Sequence, residues 1–240
     1  MQQNTAKFNA RWATVITALV YLVALNLRPA LTSVGPILPE LGRDLNLSES
    51  LQGMLGALPL LAFAAISPIV HRFSSRLGIE RTIFISLLIL AAGTLLRSYA
   101  GISGLWLGTF IIGNAIAVGN VLVPTLVRRD YTEHISLSTS IYTACISLAA
   151  STASALSAPI AHAANWKTAL AIWAIPALVV AALWIVRTIP KPELETAPIA
   201  AENVEDENIW TNRTAWVLTI MMAIKVLFSI RWQTGFRLWK

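Results

Sequence analysis

Apolar positions along the chain fall in six long runs separated by short polar segments. The runs cover residues 12–39, 51–70, 81–99, 102–127, 135–161 and 168–186, and the second and the fourth hold no charged residue across 51–70 and 102–127. A bilayer core about 30 Å thick takes about 20 residues of apolar helix to cross. Backbone in lipid must satisfy its own hydrogen bonds, so each run is predicted as a helix. After Arg187 the texture changes: Pro190, Pro192 and Pro198 precede Glu202, Glu205, Asp206 and Glu207. Prolines and acids with few apolar residues make a linker rather than a core. A last apolar run starts near Thr214, is interrupted by Lys225, and is followed by Arg231, Arg237 and Lys240. The pattern divides the chain into a six-helix unit over 1–188, a linker over 189–213 and a partial seventh span over 214–240.

Composition agrees with the pattern. Hydrophobic residues make up 56% of the chain and charged residues 12%, about half the roughly 25% of a soluble domain. Too little charge is present to cover a soluble surface. A soluble enzyme, a collagen and a disulfide scaffold are excluded, and an all-α polytopic membrane protein is left. The lone Cys145 lies in an apolar run, and His71, His134 and His162 are far apart, so neither a metal site nor a cofactor is expected. Lys7 and Arg11 precede the first run as in a signal peptide, but no small-residue cleavage site closes it and apolar sequence resumes after Arg28-Pro29.

The net charge of +6 would suggest a nucleic-acid partner in a soluble domain. Here the basic residues cluster between apolar runs and set orientation in the bilayer instead. With the N-terminus inside, the inner segments hold Lys7, Arg11, Arg72, Arg76, Arg81, Arg128, Arg129, Arg187, Lys191 and Arg213, while the outer loops hold Arg43, Arg97 and Lys167. Ten against three places the N-terminus in the cytoplasm and the chain in the plasma membrane. The basic residues from Lys225 onward break that bias on an outward seventh span.

Arg28 interrupts the first run near its middle. Eleven residues, or roughly 16 Å of helix, separate it from the outer end at Pro39. A charge there costs at least about 2.5–3.5 kcal/mol on insertion scales, and the twelve acidic residues all fall in loops, the linker or span ends. An anionic solute could supply the missing partner, and the planar guanidinium suits carboxylate-like anions. A structural arginine bonded to helix carbonyls is the alternative. Pro29 lacks an N–H and crowds the carbonyl of Leu25, so the helix should break beside the charge, a habit of transporters at the midplane. Asn26, Thr32, Asn120 and Tyr142 are the other candidates for solute binding, with Asn114 as a further polar residue inside the fourth run. Gly104, Gly108 and Gly113 are expected to let helix backbones approach closely, and Ser147, Ser151, Ser154 and Ala158 form a small-residue seam on the fifth helix.

The polar segment His71 to Arg81 is short and basic, with Arg76, Gly78 and Arg81 at the spacing of a signature loop. It resembles the gating loop of the major facilitator superfamily, although Ser75 stands where an acid is expected. The run Asn26-Leu27-Arg28-Pro29-Ala30-Leu31-Thr32-Ser33-Val34-Gly35-Pro36 resembles the first helix of that superfamily's cyanate and nitroimidazole transporters. Gly119-Asn120-Val121-Leu122-Val123-Pro124, followed by Arg128, Arg129 and Asp130, is similar to their fourth helix, and Tyr142-Thr143 and residues 166–173 fit the fifth and sixth. The resemblance implies a carrier of small anions or small polar molecules working by alternating access. It also implies that these six helices are its N-terminal half, a 3+3 inverted repeat. A second half, or a second copy of the chain, would then be the partner within the lipid bilayer. The basic residues beyond Lys225 suggest a truncated or frameshifted seventh span. A non-transporting membrane scaffold or a non-functional remnant is the competing reading, whereas an enzyme is disfavoured because no Gly-x-Ser-x-Gly, His-Glu-x-x-His or paired intramembrane acids occur.

Reporter fusions test the orientation. Fusions at Gly78, Glu133 and Glu202 are expected to read cytoplasmic and those at Arg43 and Lys167 external; a cytoplasmic signal at Arg43 overturns the assignment.

Overall fold

The computed structural model describes residues 18–189 and Met221, without the side chain of Glu133. The linker over 190–213 and the seventh span over 214–240, Met221 apart, lie outside the described residues. Six helices are long and apolar enough to cross a membrane: α1 (Ala18–Asp44), α2 (Glu49–Leu77), α3 (Ile79–Tyr99), α4 (Gly101–Asp130), α5 (Ile135–Ala163) and α6 (Trp166–Thr188). Among the described residues there is no strand.

The helices outrun the apolar stretches that predict them. His71 to Arg76, read from polarity as a loop, are the last turns of α2. Charged residues do not stop a helix that leaves the bilayer, because water satisfies their heads while the backbone ladder continues. The chain reverses at Gly78, whose φ of +83° is open to glycine and costly to other residues. Arg128 and Arg129 likewise close the last turn of α4, where cations complement the carbonyl end of the helix. At the start of α2 the Ser48 hydroxyl accepts from the Leu51 N–H at 3.4 Å.

Two helices are broken. In α1 a turn at Leu27 and Arg28 separates the first stretch from the short piece Pro29–Thr32, and a second turn at Ser33 precedes Val34–Asp44. The first break sits where Pro29 removes an N–H from the ladder. In α6 a turn at Ile172 and Trp173 separates Trp166–Ala171 from Ala174–Thr188. Pro59, Pro68, Pro124 and Pro159 lie inside α2, α4 and α5 without ending them.

Helix α4 packs against α2 and α3, α3 against α6, and α5 against α1 and the start of α6. One apolar cluster gathers Val20, Leu27, Ile83, Ile116, Val123 and Trp184, and a second gathers Ile37, Leu41, Leu55, Leu105, Trp166 and Leu170. Glycines set the closeness of α4. A Cβ on Gly108 would lie 2.6 Å from the Arg97 nitrogen and 2.7 Å from its Cα, and one on Gly113 would lie 2.8 Å from the Ala62 Cβ. Gly104 sits equally close to the Leu96 carbonyl, at 2.6 Å. The α5 seam differs from expectation. Ala149, Ala153, Ser157 and Ala161 are the buried residues that pack, while Ser147, Ser151 and Ser154 are exposed. Small residues ring this helix, so their spacing alone does not reveal which face has a neighbour.

Replacing Gly108 with Leu is expected to lower folded yield and melting temperature more than Leu105→Ala does. The first drives a side chain into backbone that cannot move aside. The second removes buried volume, a change worth about 2–5 kcal/mol in soluble cores. Equal thermal stability of the two purified variants in detergent would show that α3 and α4 can separate at Gly108.

Candidate functional site

The break in α1 faces α5. Both run in the same direction, so Thr32 meets Ala150: its hydroxyl donates to the Ala150 carbonyl at 3.2 Å and to the Arg28 carbonyl at 3.2 Å. Beside this bond lies an open cleft of about 780 Å³, lined by Leu31, Thr32, Gly35, Pro36, Ala150, Ser151, Ser154 and Ala155. Its walls carry short side chains from both helices, which is why a cleft rather than a packed seam stands here. Ser151, expected at a helix contact, is part of this wall, and the Ser147 hydroxyl turns back to the Thr143 carbonyl at 3.0 Å.

Arg28 is exposed at the break and caps the piece Pro29–Thr32 from outside, without a side-chain cap bond. Among the described residues it has no hydrogen bond or ion pair from its guanidinium. Tyr142 is half-buried against the larger apolar cluster. Arg28 itself lies four residues of α1 from the cleft wall at Thr32. Asn120 is half-buried on α4 beside Gly119, where a Cβ would collide with the Leu27 side chain. Asn26 does not join this group. It is buried, and its amide donates back to the Leu22 carbonyl at 2.9 Å. Asn114 is similarly spent on the Phe110 carbonyl at 3.0 Å.

Arg76 and Arg81 are exposed on either side of the turn at Gly78 and make no ion pair among the described residues. The charged contacts of this end lie one helix further on. Arg129 donates to Glu80 at 2.5 Å and to Asp130 at 3.0 Å, and Arg187 donates to Asp130 at 2.6 Å. The Trp184 indole donates to the Glu80 carbonyl at 3.0 Å, and the Arg187 guanidinium lies 4.9 Å from the centre of that ring. Sequence reading counts Arg129 and Arg187 only as inner basic charges. The Glu80 partner of Arg129 and the Asp130 partner of Arg187 are 49 and 57 residues distant, beyond any local pattern. At the opposite end, the Trp166 indole donates to Asp44 at 2.8 Å and joins α6 to α1.

Arg97 is the largest departure. Counted as an outer-loop charge, it is 1% exposed on α3. A residue at the end of an apolar run looks like loop in sequence. On a helix, however, side chains lean toward the N-terminus, here back into the bundle.

Beyond its geometry, the sequence matches the Major Facilitator Superfamily over residues 14–238. The chain belongs to that superfamily. It is 38% identical over 236 residues to the uncharacterized transporter YycB of Bacillus subtilis (strain 168), covering 95% of this chain and 56% of the relative. It is 32% identical over 214 residues to the 2-nitroimidazole transporter of Escherichia coli (strain K12), covering 89% of this chain and 54% of the relative. Against the cyanate transport protein CynX of the same organism, identity is 30% over 165 residues, covering 68% of this chain and 43% of the relative. The chain spans about half the length of the curated relatives it matches. A multi-pass membrane protein with the six helices of half a facilitator fold accounts for both the architecture and the matches. These relatives are transporters by name, not enzymes.

The ion-pair cluster gives a stability prediction. The side chains of Arg187 and Asp130 are 5% and 8% exposed. Breaking a buried pair by removing one partner costs about 3–5 kcal/mol. Asp130→Asn is thus expected to lower the melting temperature sharply, and adding Arg187→Gln to recover part of the loss. A double-mutant cycle with no coupling between the two would remove the pair from the account of the fold.

Proposed function

We propose that the chain is the N-terminal half of a secondary transporter for a small anion of cyanate-like size, or a small polar solute, working by alternating access. The observation that carries the reading is Arg28: a cation deep in an apolar span, exposed beside a cleft, with no acidic partner among the described residues. Arg28 would take the charge of the solute, with Tyr142, Thr32 and Asn120 as further polar groups. The superfamily match and the relatives named for cyanate and 2-nitroimidazole support this substrate range. The N-terminus is cytoplasmic in this reading and the membrane is the plasma membrane. Arg76, Gly78 and Arg81 then form the inner turn between α2 and α3 that would gate against a second half.

A second half, or a second copy of this chain, is needed to close the pathway. The apolar faces of α2 and α5 offer a surface for it: Leu60, Leu61 and Leu148 are each more than 60% exposed. The same faces suit the alternative reading, a membrane scaffold that moves nothing. The match running to residue 238 favours facilitator sequence through the segment after Lys225 over foreign sequence there.

The test is cyanate binding by the chain in proteoliposomes, with uptake by cells expressing it beside cells expressing a full-length relative. Arg28→Lys is expected to weaken binding, because charge stays and the planar fork is lost. Arg28→Gln is expected to abolish binding yet insert at least as well as wild type, since a costly charge is gone. If Arg28→Gln instead folds poorly, the arginine serves helix carbonyls and the scaffold reading gains. Normal binding by well-folded Arg28→Gln removes Arg28 from the site.

A further inference from the structure

We propose that Arg97 is a positioning residue for the α1 break, holding the piece Pro29–Thr32 so that Arg28 and Thr32 keep their places beside the cleft. The inference deepens the anion-site reading and rests on it only for its functional consequence. Arg97 sits on α3, fully buried, and donates to the Ala30 carbonyl at 2.6 Å. Its Nε and its other terminal nitrogen have no partner among the described residues. No acid pairs with it there either. An arginine is an expensive way to make one bond to a carbonyl, because burying an ion costs several kcal/mol unless it is well compensated. A purely structural contact could be made by a neutral donor. The bond is placed where it matters most.

The piece Pro29–Thr32 follows the break at Leu27 and Arg28, and its last turn, with the Ser33 N–H bonded to the Pro29 carbonyl at 3.0 Å, leads into Val34–Asp44. Pro29 contributes no N–H, and Arg28 has no side-chain cap bond to the piece. The ladder is interrupted on its N-terminal side, so contacts from other helices bear on how this stretch of α1 is turned relative to the first. Two polar ties from it reach other helices: Arg97 to the Ala30 carbonyl on one side and Thr32 to the Ala150 carbonyl on the other. Ala30 lies two residues from Arg28 and two from Thr32, so a rotation of the piece about its axis carries both away together. The backbone of Arg97 lies so close to α4 that a side chain at Gly108 would collide with it. The line of contact runs from α4 through α3 to α1 and ends at the cleft.

Thiol accessibility reads the position of the piece without any transport assay. A single cysteine is placed at Gly35 on the cleft wall, or at Arg76 at the inner turn, in a Cys145→Ala background. The intact chain is reconstituted in liposomes and labelled with a small maleimide. Arg97→Met keeps bulk and removes the donor. It is expected to change labelling at Gly35→Cys by about tenfold, the scale set by losing a hydrogen bond to a charged group, with labelling at Arg76→Cys unchanged. Arg97→Lys, which can still donate to the Ala30 carbonyl, is expected to label at Gly35→Cys as wild type does. A folded Arg97→Met that labels as wild type at Gly35→Cys overturns the proposal. Should Arg97→Met fail to fold, Arg97→Lys decides: wild-type labelling supports the proposal, and labelling altered about as much as loss of the bond predicts overturns it. Cyanate binding by the same variants is the functional arm. If wild type binds no cyanate, the anion-site reading fails while the labelling result still stands for Arg97.

Discussion

A backbone carbonyl released from its helix inside a bilayer has no water to turn to, and leaving it unpaired costs several kcal/mol. The break in α1 brings side-chain donors to the carbonyls around it. Arg97 reaches from α3 to the Ala30 carbonyl, and the Thr32 hydroxyl, which also donates to the Ala150 carbonyl of α5, turns back to the Arg28 carbonyl. Those ties depend in turn on how near α3, α4 and α5 come. Gly108 lets α4 lie on the α3 backbone, and the buried face of α5, from Ala149 to Ala161, lets it lie against its neighbours. Small residues at helix contacts and a broken α1 are therefore parts of one arrangement. The first makes the second tolerable.

Charge in the bundle follows a related division. At the end where α3 begins and α4 and α6 finish, every described acid has a cation: Glu80 and Asp130 share Arg129 and Arg187. The Arg129 to Glu80 bond is partly solvated on both sides, which holds its worth to about 1 kcal/mol or less. The Arg187 to Asp130 bond is nearly dry and is the one whose loss would be felt. Arg28 and Arg97 stand outside this balance. Both attach to the same short piece of α1, one as its flanking residue and one through Ala30. One of them is exposed and the other is buried on the carbonyl it holds.

Much of this fold was legible in the residues. Runs without charge, such as 51–70 and 102–127, can only be spans, and Arg28-Pro29 marks a break because proline removes a donor wherever it stands. The errors also have physical reasons. Polarity marks where a helix leaves lipid, not where it ends, so His71 to Arg76 read as loop although the turn waits for Gly78. Ser147 and Ser151 were placed at a helix contact because they recur at helical spacing. Ala149, Ala153 and Ser157 recur at the same spacing two residues later, on another face, and only the neighbours decide between them. Arg97 read as an outer charge because its place at a run's edge does not say which way a long side chain leans. The ion pairs of Glu80 and Asp130 join residues from three helices, and no local pattern carries that information.

The cleft between α1 and α5 lies where the facing side chains are short. Against α4, bulky side chains such as Leu27 and Ile116 fill the space between helices, and a change of spacing would open voids or cause collisions. Along α1 and α5 the facing residues include Gly35, Ala150, Ser151, Ser154 and Ala155, which leave room and offer little bulk to clear. The Thr32 to Ala150 bond joins the helices on one side of the cleft, and the cluster of Ile37, Leu41, Ile160 and Ala161 joins them toward the far end. A charged residue placed beside such a contact remains reachable from water, whereas one placed on the α3–α4 seam, as Arg97 is, becomes sealed in and can act only through what it holds.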